Sequence, residues 1–205
     1  VAVATNKEFA AELKIPQSAS VTCVKPSGTV SNLVNSASGI HARHAEYYVR
    51  TVRADKQDPL AQFMIEAGFY AESDVTRPEN TWLFYFPQKA PKGSITRNER
   101  TAIQQLEFWR LYQNHWCEHK PSATIYVQEE EWLDVGAWIY RHFDTVSGLA
   151  FLPNLEHIYK QAPYIDCTKD EYEEWTKKMP TKVDWTKLAV YEKSDATTGS
   201  QELAC

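Results

Sequence analysis

Residues 122–153 read SATIYVQEEEWLDVGAWIYRHFDTVSGLAFLP, and this run predicts a parallel β-α-β unit. Residues 123–127 and 149–152 are short apolar runs typical of buried strands, and Pro153 closes the second run. Residues 130–142 between them have the spacing of an amphipathic helix. Its apolar face consists of Trp132, Val135, Ile139 and Phe143. Two apolar strands joined by one helix form a parallel crossover that is covered on both faces, so the sequence predicts an α/β fold.

The composition is that of an ordinary globular protein. Of the 205 residues, 43% are apolar and 24% are charged, and the net charge of −5 argues against a nucleic-acid-binding surface. No run approaches the roughly 18 apolar residues of a membrane helix, and the N-terminus lacks the basic and apolar regions of a signal peptide. The four cysteines form no Cys-x-x-Cys pair, so we expect a protein of the reducing cytoplasm. From its net charge and its lack of long apolar runs, we expect it to bind neither nucleic acid nor membrane. Because the chain begins with Val1 and not with Met, we expect it to start partway through a longer gene product.

A small-residue turn (residues 24–31) lies within the run VTCVKPSGTVSNLV, residues 21–34. The run predicts a short strand that Pro26 ends, and then the first turn of a helix. Ser27, Gly28 and Thr29 have little bulk, so a ligand can approach their backbone N–H groups, and phosphate is the commonest ligand of such a turn. The alternative is an ordinary helix N-cap by Ser27 or Thr29. The run is not a Gly-x-x-x-x-Gly-Lys-[Ser/Thr] loop, and its spacing alone leaves both interpretations open.

Cationic and hydrogen-bonding side chains surround this turn in the sequence. Lys25 lies within it. The cationic residues that follow a short loop later are His41, Arg43 and His44, with Arg50 and Arg53 beyond them. A guanidinium group pairs with two phosphate oxygens at once, so these residues suit a phosphate site. The alternative is a solvated basic loop on an acidic protein.

The cysteines differ in their predicted roles. Cys117 and His119 would need two further ligands to hold zinc, and no suitable pair accompanies them, so we predict no metal site. Cys23 and Cys117 lie in apolar segments and are expected to be inert. Cys205 ends a polar tail, which predicts an accessible thiol suited to thiol–disulfide exchange, with an arbitrary chain end as the alternative.

Further elements are predicted from capping residues and periodicity. Asp58 followed by Pro59 predicts a helix start, and Thr96 with Glu99 predicts a capping box for a helix that reaches about His119. The remaining predictions are a helix over residues 1–17, strands over 20–24, 47–52 and 81–87, an acidic helix over 170–178 and a mobile tail over 192–200.

Several segments together resemble one family. They are VKPSGTVS at residues 24–31, GIHAR at 39–43, YYVR at 47–50, WCEHKPSATI at 116–125, GLAFLP at 148–153 and QAPY at 161–164. These motifs look like the C-terminal portion of the catalytic chain of adenosylcobalamin-dependent (class II) ribonucleotide reductases. The likeness runs from about residue 21 to residue 164, and the final residues 202–205 are similar to the cysteine-bearing tail of that family.

The resemblance implies the C-terminal part of a ten-stranded α/β barrel over residues 1–165, which includes the small-residue turn and the β-α-β unit of residues 122–153. A short helical extension over 166–191 and a flexible tail over 192–205 would follow. The implied enzyme reduces ribonucleoside di- or triphosphates to 2′-deoxyribonucleotides by thiyl-radical chemistry. Its implied cofactor is adenosylcobalamin, and its implied reductant is a thioredoxin- or glutaredoxin-type protein.

The resemblance also implies roles for individual residues. The residues implied to bind substrate phosphates are Pro26, Ser27, Gly28, Thr29 and Val30. Lys25, His41 and Arg43 are further candidates for substrate binding. Cys205 would be the tail thiol that re-reduces the disulfide formed during turnover.

The chain departs from the family pattern in its cysteines. It contains no Asn-Pro-Cys loop for the radical cysteine, and no second tail cysteine follows Cys205. We therefore expect one portion of a longer reductase, which depends on the upstream part of the same chain and does not turn over alone. Two alternatives are a stand-alone nucleotide- or phosphate-binding module without catalysis and the large subunit of an iron-dependent reductase. The second ranks lower because residues 149–152 contain no Tyr-Tyr pair to relay a radical.

Overall fold

A computed structural model describes residues 1–28, 30–154 and 160–192 of the chain. The helices are α1 (Ala2–Leu13), α2 (Val30–Leu33), α3 (Pro59–Glu66), α4 (Ala102–His115), α5 (Trp132–Arg141), α6 (Lys169–Lys177) and α7 (Leu188–Tyr191). The strands are β1 (Tyr47–Asp55), β2 (Ala71–Ser73), β3 (Thr81–Lys89), β4 (Thr124–Val127), β5 (Ala150–Pro153) and β6 (Tyr164–Asp166). The chain divides into two compact units, unit 1 from residues 1–43 and 90–156 and unit 2 from residues 44–89 and 157–205. None of the described helices has the length and apolar character needed to cross a membrane.

Unit 1 is built on the predicted β-α-β crossover. β4 and β5 pair in parallel, with Thr124 opposite Ala150 and Ile125 opposite Phe151, and α5 lies between them in sequence. The core residues of this unit come from α4, β4 and α5: Ala102, Leu106, Trp109, Ile125, Val127, Val135 and Trp138. The apolar spacing of the two helices therefore buries one face of each against the strand, and the predicted crossover is confirmed. Phe143, which was predicted on that face, lies after α5 and is exposed.

Unit 2 contains a four-stranded sheet in the order β2-β3-β1-β6, in which every neighbouring pair is antiparallel. One apolar cluster gathers α3 residues around Phe84, and a second joins Val49, Leu83 and Tyr85. α6 contributes Trp175, whose ring stacks on that of Tyr85 with 5.1 Å between the centroids. The mixed α/β class is confirmed for the chain. The sequence patterns at 47–52 and 81–87 predicted two strands but did not predict that these strands pair with each other in antiparallel orientation.

Helix capping follows the predictions at one site and differs at another. The Asp58 carboxylate accepts the backbone N–H of Leu60 at the start of α3, as predicted. The capping box of Thr96 and Glu99 is present, but it closes a short 3₁₀ turn. The backbone of Arg100 is extended and interrupts the helical conformation. A second capping box, Thr101 with Gln104, then begins α4.

Several predicted boundaries require correction. The predicted helix to His119 ends at His115, and residues 20–24 do not form a strand. Their carbonyls instead accept isolated hydrogen bonds, in which the N–H groups of Glu118 and His119 share the carbonyl of Thr22. β3 continues past Pro87, because β2 pairs only with residues 82–84 and leaves β3 an edge where a missing N–H is tolerated. The predicted tail lies outside the described residues from residue 193 onward.

Candidate functional site

The small-residue turn, in unit 1, satisfies its carbonyl groups internally. The Ser27 carbonyl accepts hydrogen bonds from the hydroxyls of Ser31 (2.8 Å) and Ser38 (3.2 Å), and the Gly28 carbonyl accepts one from the Asn32 amide (3.1 Å). The Ser27 hydroxyl also accepts the backbone N–H of Ser31 at 3.2 Å, which is a capping bond. The capping interpretation therefore applies to the Ser27 side chain and leaves the backbone N–H groups of the turn to be accounted for.

The backbone N–H groups of Ser27 and Gly28 have no acceptor among the described residues. A Cβ added at Gly28 would meet nothing within 4 Å. Pro26 has no N–H and contributes only to the shape of the turn. α2 begins at Val30 and is four residues long, so its dipole adds less than a longer helix would. The turn thus offers two adjacent donors beside open space, and Thr29 lies outside the described residues.

Gly39 holds a second loop against the turn. Its φ of +59° is a left-handed conformation, and an added Cβ would lie 3.0 Å from the Lys25 carbonyl oxygen and 3.4 Å from the nitrogen of Pro26. Only glycine allows this approach, because the backbone of one loop touches the backbone of the other. The position of the turn therefore depends on residue 39 as well as on its own sequence.

Lys25 and His41 connect this region to the segment that leads into β4. The Lys25 ammonium donates to the carbonyl of Lys120 (2.9 Å) and to the hydroxyl of Ser122 (3.0 Å). His41 Nε2 accepts the backbone N–H of Thr124 at 3.0 Å, so Nδ1 carries the proton and donates to the Ser38 carbonyl at 2.8 Å. Both side chains brace the loops, and their direct contact with a substrate stays a prediction.

Arg43 is buried, with 6% of its surface exposed, and it supports the end of α2. Its two terminal nitrogens donate to the carbonyl of Ser36 (2.6 Å) and to the side-chain oxygen of Asn35 (2.7 Å). Asn35 has a φ of +48°, so this contact stabilises a strained helix end. A substrate contact by Arg43 stays a prediction, and Arg50 and Arg53 lie in the sheet of unit 2.

Three thiols lie among the described residues. Cys23, Cys117 and Cys167 are free, and Cys117 is buried as its apolar segment predicted. Burial raises the pKa of the Cys117 thiol and that of the Cys167 thiol, which favours the unreactive protonated form. Within the described ranges, no group of three or more His, Cys, Asp and Glu residues is placed to hold a metal ion. The Cys205 prediction lies outside those ranges.

The sequence reasoning missed Ser38 and the close approach at Gly39. A signal for both was present, because residues 36–39 read SASG, a second run of small residues near the first. Such a pair of runs indicates two backbones in contact. It also missed a cavity of about 470 Å³ in unit 1 between residues 35–43, residues 91–95, α4 and the residue Arg100 that precedes this helix.

Curated relatives match most of the chain, although no protein-family model matches it. The adenosylcobalamin-dependent ribonucleoside-triphosphate reductase of Euglena gracilis is 33% identical over 169 residues, which cover 82% of this chain and 23% of the relative. A probable enzyme of the same name from Dictyostelium discoideum is 29% identical over 189 residues, covering 89% and 24%. The chain therefore spans about a quarter of the length of these relatives.

A solved structure gives the same result. The crystal structure of a B12-dependent (class II) ribonucleotide reductase matches with a TM-score of 0.77 and 25% identity. The match covers 95% of this chain and 27% of that structure. The resemblance drawn from the sequence motifs is confirmed, and the chain is homologous to a segment of the adenosylcobalamin-dependent ribonucleotide reductases.

Proposed function

We propose that this chain is the substrate-phosphate-binding segment of an adenosylcobalamin-dependent ribonucleotide reductase. The full-length protein would convert ribonucleoside triphosphates, the substrates in the names of the relatives, to 2′-deoxyribonucleotides. One observation carries the proposal: the motif shared with the family contains two backbone N–H groups, those of Ser27 and Gly28, without an acceptor among the described residues. Backbone donors of this kind bind phosphate oxygens without a charged side chain.

In this proposal the turn binds the terminal phosphates through residues 26–30. Ser27, Gly28, Thr29 and Val30 would donate backbone N–H groups, and Pro26 would fix the shape of the turn. Hydrogen bonds from N–H groups to an ionised phosphate are shorter and stronger than those between neutral groups. Lys25, His41 and Arg43 would act through the bracing contacts that hold the turn in place.

We propose that residues 1–165 complete a larger barrel. A parallel sheet is normally covered on both faces, yet β5 is largely exposed, with Leu152 at 49%. Three apolar side chains after the turn are also exposed: Val30, Leu33 and Val34. Apolar surface in these two places suits burial by the rest of the full-length protein.

The C-terminal segments have separate proposed roles. Residues 166–191 would form a short helical extension, of which α6 and α7 are the described helices. Residues 192–205 would carry the Cys205 thiol to the disulfide that forms when the sugar is reduced. Its thiolate would attack that disulfide, which forms a mixed disulfide with Cys205 and releases one of the two thiols. The dithiol of a thioredoxin- or glutaredoxin-type protein would then reduce the mixed disulfide, which frees Cys205 and the second thiol and leaves the reductant oxidised. The free state of Cys23, Cys117 and Cys167 suits the reducing cytoplasm in which we propose that the enzyme works.

Adenosylcobalamin is named for the relatives, and the cavity in unit 1 does not fit it. Drug-sized ligands occupy pockets of about 300–1,000 Å³, and a corrinoid with its nucleotide tail is much larger. The cavity in unit 1 has a volume of about 470 Å³ and is too small to enclose one. We therefore place no corrin in this cavity and propose that other parts of the full-length protein enclose the cofactor.

An activity assay tests the proposal. The full-length protein that contains this chain is incubated with a ribonucleoside triphosphate, adenosylcobalamin and a thioredoxin system, and the products are separated by chromatography. We expect 2′-deoxynucleoside triphosphate that requires all three additions. Cys205→Ser should allow a single turnover and stop multiple turnover with thioredoxin. A folded full-length protein that forms no deoxynucleotide would refute the proposal.

A further inference from the structure

The cavity in unit 1 is separate from the small-residue turn. None of residues 24–31 lines its volume of about 470 Å³. Its walls come from the loop of residues 35–43, from residues 91–95 and from three side chains at α4, namely Arg100, Phe108 and Tyr112. The volume lies within the range of small-molecule sites.

The charge of the cavity is opposite to that of the protein. Arg43 and Arg100 line it together with His41, and no Asp or Glu is among its described lining residues, although the chain has a net charge of −5. The two terminal nitrogens of Arg43 donate to Ser36 and Asn35, and Nδ1 of His41 donates to Ser38, so these groups are engaged within the loop. Arg100 is therefore the cation that a ligand can engage.

The Arg100 guanidinium is held in place without a polar partner. Its central carbon lies 4.5 Å from the centroid of the Phe108 ring, and the group makes no hydrogen bond or ion pair with a described residue. The neighbouring carboxylate of Glu99 is occupied by the N–H and hydroxyl of Thr96. A guanidinium stacked on a ring keeps its planar set of donors available, and that set matches the oxygens of a phosphate group.

Two further donors line the same cavity. The hydroxyls of Ser94 and Tyr112 make no hydrogen bond with a described residue, and both side chains are half-buried. The Tyr112 ring packs edge-on against Phe108, with 5.1 Å between the centroids. The cavity thus combines a stacked cation, two hydroxyls and an aromatic wall.

We propose that this cavity binds a small phosphate monoester of nucleotide type, with its phosphate on Arg100 and its organic part against Phe108 and Tyr112. Free phosphate would fill only a fraction of the volume, and the aromatic wall would add nothing to its binding. The site is distinct from the small-residue turn, so it would be occupied together with a substrate on that turn.

Isothermal titration of the full-length protein tests this proposal, with AMP and inorganic phosphate as probes. We expect AMP to bind at least about tenfold more tightly than phosphate, and Arg100→Gln to weaken AMP binding at least about tenfold, because a charge-assisted pair is lost. Arg100→Lys keeps the charge and should weaken binding by less. The matched control is Arg110→Gln, which removes a surface arginine paired with Glu107 on α4 and should leave AMP binding unchanged.

Variants of the turn and of the cavity distinguish the two places where AMP could bind. AMP binding that survives Gly28→Val in the turn and is lost in Arg100→Gln supports the cavity. Equal affinity for AMP and phosphate would contradict the proposal that the ligand is a phosphate ester. Wild-type AMP affinity in a folded Arg100→Gln variant would contradict the proposal that Arg100 binds the phosphate. No AMP binding to the wild type at millimolar concentrations overturns it as well, and this is the result expected if other parts of the chain fill the cavity. The outcome does not depend on catalytic activity, so it can fail without the reductase proposal failing.

Discussion

The small-residue turn of unit 1 and the Asp74 loop of unit 2 use backbone N–H groups in opposite ways. The buried Asp74 carboxylate, 1% exposed, accepts the N–H groups of Thr76 (2.8 Å) and Arg77 (3.0 Å) and the guanidinium of Arg53 (2.7 Å). In the turn, no described acceptor meets the N–H of Ser27 or Gly28. One loop contains its own anion and is closed, whereas the other offers donors and is open to an anion from outside.

Removing the internal anion should have the largest effect. Asp74→Ala leaves the Arg53 charge and two N–H groups without their acceptor, so we expect a loss of about 3 kcal/mol in chemical denaturation. The matched control is Asp184→Ala, because the exposed Asp184 makes the same pair of bonds to the N–H and hydroxyl of Thr186. We expect it to cost clearly less, because solvent screens the exposed carboxylate and hydrates the groups that its removal leaves. Equal costs would remove the contrast between a closed and an exposed loop.

Acid should weaken the same loop. Burial alone would raise the pKa of Asp74, but the hydroxyl and N–H of Thr76, Arg53 and the N–H of Arg77 together lower it from 3.8 to about 2. The ionised form is therefore favoured by folding, and this stability is present above pH 3.8 and is lost as the pH falls toward about 2. We expect a loss of about 2 kcal/mol over that window, which Asp74→Asn should not show. Denaturation at several pH values measures it, and a variant with the same acid dependence would contradict the assignment.

Disrupting the contact between loops at Gly39 should have a smaller effect on stability, which is measured as the difference between two glycine-to-alanine variants. Gly39→Ala combines left-handed strain with a Cβ 3.0 Å from a carbonyl oxygen, whereas Gly68→Ala in unit 2 has the strain at φ +86° and nothing within 4 Å. We expect Gly39→Ala to cost about 1 kcal/mol more than Gly68→Ala, and to raise the KM for ribonucleotide as the turn shifts. A Gly39→Ala variant no less stable than Gly68→Ala would show that the two loops are not in firm contact.

The sequence predicted the elements that rest on local signals. The β-α-β crossover followed from apolar spacing, and the Asp58 cap followed from one dipeptide. The antiparallel sheet of unit 2 was not predictable, because period-two patterns do not specify strand partners and β6 lies far from β1 in sequence. The end of α4 was misplaced because Trp116 continues the apolar spacing after the helix has ended.

The small-residue turn was predictable as a motif and not as an arrangement. Small residues at 27–29 predicted either a phosphate turn or a helix cap, and residue type alone cannot show which donors the fold already uses. Arg43 illustrates this, because its guanidinium is bound to Asn35 and Ser36. Arg100 illustrates the reverse, since it carried no sequence signal and the fold places it over Phe108 beside a cavity.

The most direct test of the phosphate turn is the KM of Gly28→Val in the full-length protein, measured together with its melting temperature. A Cβ at Gly28 meets nothing within 4 Å, so the variant should melt as the wild type does, while its KM for ribonucleoside triphosphate rises at least about tenfold. Gly136→Val on α5 is the control, because that glycine also has open space and should leave KM unchanged. A folded Gly28→Val enzyme with the wild-type KM would contradict the assignment of this turn to substrate phosphate.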